Sequence, residues 1–92
     1  MPIARGKSFA SISKDIAEGF VTVNPIFLKG FDAEGLKELH QQIQKVHAAI
    51  RGEKFPYNDV GAIRMRNMKL QRLHTALMVV KNFARERKII LY

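Results

Sequence analysis

The chain has 92 residues, no cysteine, 47 % apolar residues and a formal charge of +8. The apolar share is too high for a disordered chain, and the missing thiols exclude disulfides, thiolate metal sites and cysteine nucleophiles. No run approaches the ~20 apolar residues of a membrane span, and no apolar signal core follows the basic start, so a cytoplasmic protein is expected.

Residues 1–10 read as an aperiodic arm carrying Arg5 and Lys7. Ser11 or Ser13 is expected to cap a short helix from about Ile12 to Glu18, with Ile12 and Ile16 on one side and Gly19 ending it in the left-handed conformation. Phe20 to Val23 is β-prone, but Asn24-Pro25 cuts it short. Four such residues fit an extended segment laid on helices better than a strand. Residues 89–92 are the other β-prone piece, and pairing of the two segments is the main threat to an all-helical fold.

A strong helix is expected over 33–51. Asp32 suits the N-cap, Phe31 and Leu36 have hydrophobic-staple spacing, and Gly52 suits the left-handed position after the last turn. Leu36, Leu39, Ile43, Val46 and Ile50 then follow at helical steps, forming one narrow apolar seam. After a short connector through Phe55-Pro56, Asn58 or Asp59 caps a longer helix that runs to Arg87. No proline interrupts it. Its stripe is Ile63, Leu70, Leu73, Leu77, Val80 and Ala84, with Met65, Met68, Ala76, Val79 and Phe83 on a second apolar flank.

Two helices joined by so short a loop are expected to fold back as an antiparallel hairpin. Their lengths differ, about 28 Å against about 42 Å at 1.5 Å per residue. The shorter helix therefore cannot cover the longer one. The fold class expected is mainly α, a single domain: arm, short helix and extended segment over 1–31, hairpin over 32–87, tail over 88–92. A homodimeric helical bundle would cover the remaining apolar flank through Ile63, Met65, Met68, Leu70, Leu73, Leu77, Val80 and Phe83. The competing arrangement is a monomer in which residues 12–28 fold over the hairpin.

No reaction motif rises above background. Gly6-Lys7-Ser8 ends like a phosphate-binding loop but lacks the upstream glycine and strand. His40 and His47 stand seven apart on one helix, about 10.5 Å along its axis and too far to share an ion. Asp32, Glu34 and Asp59 are accounted for by helix starts, and no carboxylate sits in an apolar context that would raise its pKa. No catalytic residue, metal site or cofactor is assigned.

Charge is the remaining signal. Residues 55–92 hold eight basic groups against Asp59 and Glu86, a net of +6, while residues 32–54 balance to zero. The expected function is a non-catalytic accessory or regulatory protein that contacts DNA or RNA backbone. Its contacts would be Arg64, Lys69, Arg72, Arg85, Arg87 and Lys88, with Arg5 and Lys7 from the arm. The alternative is an adaptor or structural subunit that meets another protein, an acidic one by charge, through the methionine-bearing flank.

Overall fold

The computed structural model of the protein describes residues 8–91. It is mainly helical, with α1 at Phe9–Glu18, α2 at Pro25–Leu28, α3 at Ala33–Gly52 and α4 at Val60–Glu86. No strand occurs among the described residues. Residues 89–91 pair with nothing as a ladder, and Tyr92 lies outside the described residues. The reason is local: the chain leaves α4 through a hydrogen-bonded cap rather than running on as a strand. Ile89 N–H donates to Ala84 O at 2.8 Å and Lys88 N–H to Arg85 O at 3.1 Å, the paired bonds of a Schellman cap.

That cap places Lys88 at φ 59°, in the left-handed region where glycine is the usual residue. A side chain there costs about 1–2 kcal/mol. Lys88→Gly is therefore expected to raise stability by about 0.5–1 kcal/mol, part of the relief being offset by glycine's freedom in the unfolded chain. A denaturant midpoint at or below the parent's would contradict the cap.

The first helix starts one turn earlier than the serine spacing suggests. Ser8, not Ser11 or Ser13, is the N-cap, its Oγ accepting from Ser11 N–H at 3.1 Å. Ser13 is instead buried inside the helix, where its hydroxyl donates to Phe9 O at 2.9 Å. Gly19 ends α1 as expected, at φ 86°. From Phe20 to Val23 exposure alternates, Val21 and Val23 turning inward while Phe20 and Thr22 face out, without any strand partner.

Asn24-Pro25 starts a helix as well as stopping the extended segment. Asn24 Oδ1 accepts from Phe27 N–H at 2.8 Å, and Pro25 occupies the first turn, where its missing N–H is not needed. The single turn of α2 buries Leu28 and brings Phe27 to 5.3 Å from Phe31, which in turn meets Phe9 at 5.9 Å.

Asp32 caps α3 as expected, and of the two candidates Asn58 and Asp59 it is Asp59 that caps α4. Gly35 N–H donates to Asp32 Oδ1 at 2.7 Å, and Ala62 N–H to Asp59 Oδ1 at 2.9 Å. Gly35 has a steric reason to be there, since a Cβ would stand 3.0 Å from that same Oδ1 and 3.3 Å from the Phe31 ring. Gly52 does not take the left-handed conformation; it is the last helical residue, and Glu53 caps α3 in extended backbone.

The core forms where α1 packs on both α3 and α4. Ile12, Ile16 and Ala17 from α1 close over Leu36, Leu39 and Ile43 of α3 and Leu73, Ala76, Val80 and Phe83 of α4. No residue of α3 after Ile43 is buried, and none of α4 before Leu73. Nearer the connector, α3 and α4 thus run on without a third layer. Ile50, Ile63 and Leu70 are half-buried there, and Met65 and Met68 are exposed.

Candidate nucleic-acid interface

The eight cations expected to form one surface do not behave alike. Arg5 and Lys7 lie outside the described residues. Lys69 and Arg72 are occupied within the chain, where they join α4 to the closing turn of α1. Arg72 NH1 donates to Ala17 O at 2.9 Å, and Lys69 Nζ stands 3.5 Å from Glu18 Oε1. The carbonyl end of α1 carries partial negative charge and no basic residue of its own, so two cations supplied by α4 complement it. Sequence periodicity gave the two residues' direction on α4 but could not say which element would meet them.

Arg64, Arg85, Arg87 and Lys88 are exposed. Arg85 is steadied by Asn82, whose Oδ1 accepts from its NH2 at 2.8 Å, and Arg87 lies over the Phe83 ring at 4.5 Å. Lys81 was not among the expected contacts, yet it belongs with them. Lys81 and Arg85 stand four residues apart on one face of α4, Lys88 follows in the cap beyond the helix end, and all three border a groove of about 640 Å³. The ion pairs among the described residues are Lys37–Glu34 and Lys69–Glu18, and neither takes these three. Arg64 stands apart, 17 residues before Lys81 and about 25 Å from it along the axis.

Arg66 is half-buried and reaches toward the connector, its Nε buried without a hydrogen-bond partner among the described residues. Its guanidinium lies 5.1 Å over the Phe55 ring, which stacks at 4.9 Å on exposed Tyr57.

The residues expected to form a subunit interface also divide. Leu73, Val80 and Phe83 lie in the chain's own core and so are removed from any surface a second copy could touch. Ile63, Leu70 and Leu77 are half-buried, and Met65 and Met68 are exposed at 48 % and 39 %.

Among the described residues no cluster of histidine, aspartate and glutamate has the makings of a metal site, and no helix is long and apolar enough to cross a membrane. His40 is buried; burial, then the Lys81 ammonium, push its pKa below the ordinary 6.5. His47 is lowered too, by burial first, then by Arg51 and His74. For both groups the unfolded chain binds protons more readily than the folded one. Stability is therefore full above about pH 6.5 and is lost as pH falls through that value toward the folded pKa values. Melting temperature is expected to drop between about pH 7 and about pH 5, and less so in His40→Gln. An identical drop in that variant would remove His40 from the account.

Together these features define a small, basic, mainly helical protein with a groove at the exit of its longest helix, bordered by Lys81, Arg85 and Lys88 and lined otherwise mainly by Met78, Ala84 and Ile89 to Leu91. No protein-family model, curated protein or solved structure matches the chain.

Proposed function

We propose that this is a non-catalytic binding protein that contacts the phosphate backbone of DNA or RNA through Lys81, Arg85 and Lys88, with Arg64 as an outlying contact. The observation that carries the reading is the convergence of the first three on one groove, none of them in an ion pair with a described carboxylate. Lys88 adds to it. A lysine kept in left-handed backbone, where glycine would be easier, fits a position held for its charge. Arg87 contributes at the edge while stacked on Phe83.

The α3–α4 pair is read as an antiparallel hairpin that presents this surface. A second copy packed on Met65 and Met68 would double the cations and cover the two-helix end. The same methionines support the second reading, a protein-interaction role, because both are exposed apolar side chains on α4.

The test is a salt titration of binding to mixed duplex DNA, single-stranded DNA and RNA. Each neutralised phosphate contributes about 0.9 to the slope of log K against log salt on duplex DNA. Replacing Lys81, Arg85 and Lys88 together with alanine is expected to shallow that slope by about 2–3. No binding at low salt, or an unchanged slope, would sink the reading; a protein partner held at high salt would favour the second one.

A further inference from the structure

A second groove, of about 360 Å³, lies between the closing turn of α1, the segment after it and the middle of α4. Its apolar floor is Ile16, Val23 and Ala76, all buried. Thr22, Gln71 and Thr75 stand exposed around it, and Arg72 forms part of its lining.

The Arg72 guanidinium is held in place by backbone. NH1 is bonded to Ala17 O at 2.9 Å, and the group lies against Gly19, where Cζ would be 3.0 Å and both terminal nitrogens 3.2 Å from a Cβ. A guanidinium has five N–H donors, and the Ala17 bond uses one. Glu18, next in sequence to that carbonyl, is paired with Lys69 instead. Arg72 is therefore a half-buried, pre-oriented cation with spare donors beside an apolar floor and three neutral polar side chains. Such a site suits one anionic head on an apolar body.

We propose that this groove binds a small aliphatic monocarboxylate. The carboxylate would take the Arg72 donors not engaged by Ala17 and the groups on Thr75 or Gln71, while the chain lies on Ile16, Val23 and Ala76. The site is independent of the phosphate-binding reading, because Arg72 stands nine residues before Lys81, about 13 Å along α4.

Octanoate, with ten non-hydrogen atoms, is the probe. The full chain, labelled with ¹⁵N, is titrated to about 10 mM octanoate at constant ionic strength, with octanamide and acetate in parallel. Saturable amide shifts are expected at Gly19, Thr22 and Thr75, with a Kd near about 1 mM. Binding should weaken roughly tenfold for octanamide, which lacks the charge, and for acetate, which lacks the chain. Thr75→Leu fills the groove from an exposed position without touching the Arg72–Ala17 bond. It should also weaken octanoate roughly tenfold while leaving the melting temperature nearly unchanged. Shifts that do not saturate, equal affinity for octanamide, or full affinity in Thr75→Leu would overturn the site. Shifts gathered at Lys81, Arg85 and Lys88 would overturn it too, by marking attraction to charge alone.

Discussion

Leu73→Ala is expected to lower the unfolding free energy by about 2–5 kcal/mol, the largest effect of any substitution considered. Leu73 is completely buried, in the layer where α1 closes over α3 and α4. Truncation removes its transfer energy and leaves a cavity that three packed helices cannot fill by a small shift. A chain of this length has a total stability of roughly 5–14 kcal/mol, so the variant should lose a third or more of it on central values. At about 4–8 °C per kcal/mol the melting temperature should fall by at least about 8 °C. The drop should be the same at every protein concentration, because the side chain packs within one chain. A loss of less than about 1 kcal/mol, or one that disappears as concentration rises, would place Leu73 at an interface between chains instead.

Gly19→Ala is the second large effect, expected at about 1–3 kcal/mol. Two separate causes act at this residue. Its φ of 86° lies in backbone that a residue with a Cβ adopts only at a cost, and the new methyl would stand 3.0 Å from the Arg72 Cζ. If the guanidinium moves to make room, its bond to Ala17 O is lost and the carbonyl end of α1 loses one of its two cations. A double-mutant cycle separates the causes. In an Arg72→Gln background the backbone cost remains but the clash does not, so Gly19→Ala should be milder there. Equal costs in the two backgrounds would show that Arg72 does not press on Gly19.

The elements most legible in the sequence were those with long periodicity and a side-chain cap. Asp32 and Asp59 marked the starts of α3 and α4, and the apolar repeat through Leu73 and Val80 carried α4 unbroken to Glu86. The single turn of α2 escaped because four residues hold barely one helical period, leaving Asn24 and Pro25 as its only signals. Ser8 was missed as a cap because the residues after it, Phe9 and Ala10, add too little to the Ile12–Ile16 stripe to extend it backward.

The site was legible only in part, for a related reason. Placement at 100° per residue tells which side of α4 a residue faces but not what lies there. Leu73, Val80 and Phe83 were apolar enough to suggest a second copy, yet they are buried in the core of the same chain. Lys69 and Arg72 were cationic enough to suggest phosphate, yet the closing turn of α1 takes both. With those two occupied, Lys81, Arg85 and Lys88 remain as exposed cations that border one groove.

The decisive measurement sets two alanine variants against each other, Lys81/Arg85/Lys88 and Lys69/Arg72, with salt-dependent affinity for nucleic acid and thermal stability read on both. The first should lose slope, by about 2–3 on duplex DNA, and keep its melting temperature. The second should melt earlier and keep its slope. The reverse pattern, with slope lost in Lys69/Arg72 and stability lost in Lys81/Arg85/Lys88, would contradict the division of the cations into those tied to the closing turn of α1 and those proposed to meet phosphate.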